Sequence, residues 1–260
     1  PYTTLFRSIF FGIFLVMAAL ERARPMRRLV ESRPRRWLTN WGMSALDAVM
    51  VRLIFGAAAV GAAMDAEARG IGLFHATGWP VWLEGLIVFV LLDLAIWAQH
   101  VASHKIPLLW RLHRVHHADR DIDVTTGIRF HPGEIAFSMV LKIGLVYALG
   151  APVWAVIAFE VVLNGAAMFN HGNLRLPPRL DRALRTVIVT PDMHRVHHSV
   201  IRAEHDSNYG FNFSVWDRLF GTYTAQPRDG HDGMTIGLAE HQDGAPSRLL
   251  WALGFPFRRA

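Results

Sequence analysis

Long apolar blocks, separated by segments rich in arginine or histidine, organise this chain. The first runs from about Leu5 to Leu20, the second from about Trp41 to Met64 with Asp47 and Arg52 inside it, and the third from about Trp79 to Ala98 with Glu84 and Asp93 inside it. A fourth, from about Ile135 to Leu163, is long enough for a hairpin of two helices and is interrupted at Gly150-Ala151-Pro152, where glycine and proline break helical continuity. A spanning helix needs about 20 mostly apolar residues. The pattern therefore predicts an all-α integral membrane protein with about four to five membrane-embedded helices.

The first block has no small-residue cleavage site, and its positive charges follow it instead of leading it, so it reads as a retained anchor and not a secretory signal. The sequence opens on Pro1 and not methionine, which leaves the N-terminus and any upstream signal open. Asp47, Arg52, Glu84, Asp93, Lys142 and Glu160 fall within the apolar blocks. Ionisable groups at such depth are either functional or paired, and pairing with one another or a place at helix ends is the expected reading for most of them.

Charge refines the topology. The formal net charge is +6, and the stretch from Glu21 to Arg36 alone holds +5 of it, with seven arginines against two glutamates. That stretch lies between two apolar blocks, which fits a cytoplasmic juxtamembrane loop better than a nucleic-acid groove. Counting crossings from there puts residues 99–134 and everything after about Asn164 on the same cytoplasmic side. Every dense histidine group then belongs to one helical cap facing the cytoplasm.

Composition narrows the chemistry. The chain has 52% hydrophobic residues and a mean hydropathy of +0.23, above soluble norms. It has 14 histidines and no cysteine, which removes disulfides, thiolate metal sites, cysteine-ligated iron–sulfur clusters and cysteine nucleophiles together. Histidine must carry any metal chemistry.

Eight histidines fall into three motifs. His100 and His104 in HVASH share one helical face at the end of the third block. His113, His116 and His117 form HRVHH, and the same pentapeptide recurs at His194, His197 and His198. By chance HxxHH should occur only about 0.04 times at this histidine content, so two copies point to metal binding. The i, i+3, i+4 spacing aims two rings together and leaves a third for a neighbouring ion. Neither copy carries the glutamate of HExxH, and eight imidazoles exceed what one ion takes, so two metals are the economical reading. Imidazole suits iron, zinc or copper, and the ligands alone do not choose among them.

HVASH and the two HRVHH motifs around a hydrophobic hairpin resemble the fatty acid hydroxylase/sterol desaturase superfamily of membrane diiron oxygenases. The string from His205 to Gly210 (HDSNYG) and WDRLFGTY from Trp216 to Tyr223 resemble the end of that domain in its bacterial sterol desaturase-like members. The resemblance covers about residues 85–225, leaving 1–84 as N-terminal membrane helices with the basic loop and 226–260 as a C-terminal tail. It implies a cofactor of two iron ions, with zinc as a possible substitute, and a metal-ligand set of His100, His104, His113, His116, His117, His171, His194, His197 and His198. Several branches have a further histidine where this chain has Ala167, and His131 in RFHPGE is the substitute this sequence offers, alongside a helix-start role. No catalytic residue beyond the ligands is implied. Asp206 and Asn208 are expected to brace the second cluster, with Asp119, Asp121, Asp123 and Asp192 able to do the same. His205 is expected not to be a ligand, and His75, His231 and His241 to be solvated.

The implied reaction is O2-dependent hydroxylation or desaturation of a membrane lipid such as a fatty acyl or sterol-like chain, at a bacterial inner membrane. With no dinucleotide fingerprint and no cysteine, electrons must come from a separate reductase through a ferredoxin or cytochrome b5-like carrier. The competing class is a histidine-rich membrane metal protein without oxygen chemistry, a zinc hydrolase or metal transporter. A transporter should hold its ligands inside the spans, whereas these motifs lie beyond them.

Overall fold

A computed structural model describes residues 2–258. The long elements are α1 (Tyr2–Ala23), α2 (Arg33–Phe55), α3 (Ala58–Arg69), α4 (Val81–Lys105), α5 (Pro107–His117), α6 (Pro132–Leu149) and α7 (Val153–Asn170), followed by the short helices α8 (Pro178–Leu184) and α9 (Pro191–His197). Among the described residues there is no strand, only three isolated bridges. Four stretches, 33–76, 81–105, 132–149 and 153–170, contain helices long and apolar enough to cross a membrane. The protein is an all-α integral membrane protein.

One expected span differs in form. The second apolar block is not a single helix: α2 ends at Gly56 (φ +60°), and α3 restarts at Ala58. Both segments pack on α6. The hairpin, by contrast, turns at the expected place, because Gly150 takes the left-handed conformation (φ +65°) that closes α6, and α7 begins after Pro152. Gly72 (φ +116°) lies so close that a Cβ there would stand 2.0 Å from the Gly150 nitrogen. Only glycine fits this contact between the two turns.

Within the membrane layer, Ala59, Ala62 and Ala63 of α3 pack with Val88 and Leu92 of α4 and Phe159 of α7. Lipid is as apolar as leucine, so close packing through small residues holds such helices where the hydrophobic effect cannot. Gly85 of α4 serves the same end, because the Trp154 ring of α7 occupies the space of a side chain there. Outside the spans the ordinary hydrophobic effect operates: Met43, Val115, Trp251, Ala252 and Phe255 form a second core. Each fully buried side chain of that size contributes roughly 1.5–3 kcal/mol.

That second core revises two expectations. The segment after residue 226 is not a loose tail, since Trp251 and Phe255 pack on α2 and α5, and the Arg114 side chain donates to the Phe255 carbonyl at 2.9 Å. His231 and His241 are half-buried and not freely solvated: His231 sits against Arg195, and His241 packs on the rings of Trp251 and Phe255. His75 is exposed, as expected.

The charged residues inside the apolar blocks are mostly engaged. Lys142 pairs with Glu160 at 2.6 Å, Asp93 accepts from the Trp216 indole at 2.7 Å, and Glu84 accepts from Thr77 near the start of α4. Arg52 is exposed and reaches a backbone carbonyl one turn on. Asp93 and Asp47 each keep one buried oxygen without a partner.

Candidate metal centre

The backbone brings the three motifs together by simple means. At about 1.5 Å per residue the 25 residues of α4 exceed the ~30 Å hydrocarbon layer, so His100 and His104 arrive where the helix leaves it. Ile106 is extended and Pro107 opens α5, which breaks the helix and folds the first HRVHH back against HVASH. Thr190 caps α9 through its hydroxyl, Pro191 takes the first helical position, and the second HRVHH follows.

Nine buried histidines converge in two groups. His100, His104, His113, His117 and His197 form one, and His116, His171, His194 and His198 form the other, with one nitrogen of each ring within 4.8 Å of the rest of its group. Each HRVHH copy divides between them: the i and i+4 rings of one copy join a group with the i+3 ring of the other. His171, from the end of α7, completes the group of four. Ala167 supplies the backbone carbonyl to which the His171 Nδ1–H donates at 2.7 Å.

His131 stands apart from both groups. Its Nδ1 accepts from the Gly133 N–H at 3.1 Å and caps α6, while its Nε2 faces the Leu253 carbonyl. The helix-start reading is the one the structure supports.

The ring braces differ from those expected. His100 Nδ1–H donates to the Tyr209 carbonyl and His197 Nδ1–H to the Ser207 carbonyl, both at 2.7 Å, and His116 Nδ1–H donates to the Arg129 carbonyl at 3.1 Å. The HDSNYG segment therefore works mainly through its backbone. Asn208 adopts φ +53°, a conformation asparagine tolerates, and its side chain bonds the Met193 and Thr224 carbonyls and no histidine ring. Asp206 lies beside the first group and not the second, 3.6 Å from His104 Nδ1, and pairs with Lys105 at 2.8 Å. His205 joins His104 and Asp206 in a small, partly exposed cluster at the edge of the first group.

The acidic residues named as alternative braces also have other work. Arg36, fully buried, is held by both oxygens of Asp119 at 2.7 and 2.8 Å and by Asp123 at 2.6 Å, so this arginine of the basic segment is a structural pillar and not part of a solvated loop. Burial alone would push the Asp119 carboxyl up, but the Arg36 guanidinium outweighs it and brings it down to about 2. Asp121 accepts from the Val30 and Glu31 backbone, and Asp192 pairs with Arg195. Among the described residues, the carboxylate within hydrogen-bond distance of a ring of the nine is Glu134, whose Oε1 accepts from His113 Nδ1 at 2.6 Å. Sequence reasoning passed over Glu134; its signal was an acid in the first turn of α6, three residues after His131.

Whether these rings fit a metal can be tested on one contact. His116 and His171 each give their Nδ1–H to a backbone carbonyl, which only accepts, so each Nε2 carries a bare lone pair. Burial, then the neighbouring rings, holds His116 well below the usual imidazole range, and burial brings His171 down to about 4, so neither Nε2 is protonated near neutrality. Yet the two Nε2 atoms lie 3.0 Å apart. Two lone pairs at that distance repel, and a cation between them resolves the conflict. Nitrogens about 2.1 Å from one ion stand about 3.0 Å apart at right angles and about 3.4 Å apart in a tetrahedron, so the spacing matches right-angle ligation. His117 and His198 have no partner at either ring nitrogen, and His197 Nε2 has none. Each such buried, unsatisfied group costs about 1–3 kcal/mol, and metal coordination would satisfy one nitrogen of each of these rings.

A cavity of about 570 Å³ opens from the first group into the membrane layer. Phe130 and Phe211 line it near the histidines, Phe6 and Phe10 of α1 line it farther out, and Glu134, Ala167, His100 and His113 contribute to its wall.

Comparisons with known proteins agree with this construction. Residues 85–222 match the family model described as fatty acid hydroxylase. An ornithine lipid hydroxylase, OlsE, of Rhizobium tropici is 26% identical over 233 residues, covering 86% of this chain and 68% of that protein. Alkylglycerol monooxygenases of Xenopus tropicalis and Homo sapiens are 29% and 27% identical over 60% and 53% of this chain, which spans about a third of their length. No solved structure matches.

Proposed function

The chain belongs to the fatty acid hydroxylase family, and we propose that it is a membrane lipid hydroxylase of the diiron type. His100, His104, His113, His117 and His197 would hold one iron and His116, His171, His194 and His198 the other. Iron bound there supplies the redox chemistry that O2 needs to attack an unactivated C–H bond. The overall change places one oxygen atom of O2 in the C–H bond and reduces the other to water with two electrons and two protons from an external donor. Hydroxylation is favoured over desaturation because the relatives carry the names hydroxylase and monooxygenase.

The chain's own residues prepare the site. Backbone carbonyls of Arg129, Ala167, Ser207 and Tyr209 fix ring tautomers so that Nε2 points inward, and Glu134 does the same for His113 with added negative charge. Phe130 stacks on His116 and Phe211 packs on His100, keeping water from the lipid side of the rings. The cavity admits the lipid from the bilayer. Electrons would arrive from a separate reductase through a ferredoxin or cytochrome b5-like carrier on the outer face of the cap, which the arginine-rich segment orients toward the cytoplasm.

The observation that carries this reading is the His116–His171 contact, which a metal ion bound between the two nitrogens would relieve. Incubating the purified holoenzyme with membrane lipid, reductant and ¹⁸O2 tests it: a hydroxylated lipid should carry ¹⁸O from gas. Product labelled from water, or hydrolysed lipid without O2 uptake, would contradict it.

A further inference from the structure

The C-terminal segment packs on α2 along the side that this helix otherwise gives to lipid. Arg36, Asn40, Met43 and Asp47 recur every three or four residues of α2 and are buried. Leu38, Leu46, Val49 and Leu53 recur on the other side, and each is 40% exposed or more. Gly42 belongs to that outer stripe, one turn from Leu38 and one from Leu46. A Cβ there would stand 2.9 Å from a Leu249 methyl, so glycine lets the short helix Leu249–Gly254 cross the apolar outer side of α2.

That helix and the turn Phe255–Phe257 have two sides of their own. Trp251, Ala252 and Phe255 are buried in the core with Met43 and Val115, whereas Leu250 and Phe257 are 83% and 79% exposed. Depth says what meets the bare side. Asp47 and Glu134 line one cavity, and Glu134 lies in the first turn of α6. The 18 residues of α6 rise about 27 Å, nearly the whole ~30 Å hydrocarbon layer, so its first turn marks the cap-side edge. Gly42 is five residues nearer the cap than Asp47, about 7.5 Å along α2, and the head-group layer is about 5–8 Å deep on each side. Arg248 and Arg258 flank the segment and are exposed, placed to reach head-group phosphates while their stems lie on apolar surface. Glu240 and Asp243, exposed just before it, offset part of that charge, so the fit to the bilayer comes mainly from Leu250 and Phe257.

We infer that Leu249–Phe257 is an in-plane interfacial anchor, seated in the head-group layer on the cap side with Leu250 and Phe257 turned into the acyl chains. The partner is the bilayer itself, because the segment continues the exposed apolar stripe of α2. The anchor also reaches the site. The carbonyls of Phe255 and Arg258 accept from Arg114 of the first HRVHH at 2.9 and 3.0 Å, and that of Pro246 accepts from Arg129 at 2.8 Å. It thereby fixes the height of the histidine cap over the membrane. The inference needs the spanning helices alone and not the hydroxylase reading.

The chain has no native cysteine, so single bimane labels report depth. In holoenzyme reconstituted in phosphatidylcholine nanodiscs, bimane on Leu250→Cys and on Phe257→Cys should show blue-shifted emission, quenching by lipid brominated on its acyl chains and protection from aqueous iodide. Bimane on Arg228→Cys, whose native side chain is 72% exposed on the cap, should show the reverse. Leu250→Asp should lower the melting temperature in nanodiscs, and Leu250→Phe should keep it. Iodide quenching at 250 and 257 equal to that at 228 would overturn the inference. Protection from iodide without quenching by brominated lipid would overturn it too, because protein, such as a second copy of this chain, would then cover the segment. So would an unchanged melting temperature in Leu250→Asp.

Discussion

The Nε2 atoms of His116 and His171 face each other at 3.0 Å while each ring's Nδ1–H is held by a backbone carbonyl. The fold thus holds two ring nitrogens in contact, an arrangement that suits an ion-binding site. His171→Ala removes one of four rings from the second group and none from the first. Iron content should fall to about half that of the unaltered protein with hydroxylation abolished, as read by metal analysis of the purified variant. Full iron retention would remove His171 from the ligand set.

Glu134 acts on the first group through His113. Replacing such a partner of a metal-bound imidazole typically costs 10–100-fold in metal affinity or activity. Glu134→Gln keeps the shape and a hydrogen-bond acceptor but loses the charge, so its activity should drop within that range while the second group is untouched. A titration of iron back into stripped protein checks this, and unchanged affinity and rate would count against a positioning role for Glu134.

Arg36 joins α2 to the loop after the first HRVHH, with Asp119 and Asp123 as counter-charges. Removing one partner of a buried ion pair leaves an uncompensated charge and costs about 3–5 kcal/mol. Arg36→Met should lower the melting temperature in detergent sharply and loosen His116, because Asn40, which bonds Asp119, also holds the Arg129 side chain whose backbone carbonyl braces that ring. A melting temperature equal to that of the unaltered protein would show the pair to be dispensable.

Orientation is open to direct labelling because the chain has no native cysteine. Arg28, Arg202 and His75 are exposed. Cysteine at position 28 or 202 should be shielded from an impermeant thiol reagent outside intact cells, and cysteine at position 75 should react. Labelling at 28 with protection at 75 would invert the topology.

The helical architecture was legible because spans and breakers are local signals: the apolar blocks became α1, α2, α4, α6 and α7, and Gly150-Ala151-Pro152 turned the hairpin. The break at Gly56 was not, since hydropathy continues across it and only the backbone angle reveals it. The histidine pattern was legible for a similar reason, because i, i+3, i+4 spacing dictates how rings divide on a helix. Nothing in composition could show that the braces are the Ser207, Tyr209 and Arg129 carbonyls, which every residue possesses. Arg36 looked like its neighbours in the basic segment because its burial depends on Asp119 and Asp123, 83 and 87 residues away. His231 and His241 looked solvated because the polar sequence around them does not show that one ring meets Arg195 and the other Trp251 and Phe255.

The central claim is a two-iron histidine cap, and metal analysis of protein purified from iron-replete cells tests it most directly. The account predicts close to two irons per chain, falling toward one with O2-dependent hydroxylation abolished in His116→Ala and in His197→Ala. Stoichiometric zinc with no O2 uptake, or a single ion per chain that survives both substitutions, would contradict it.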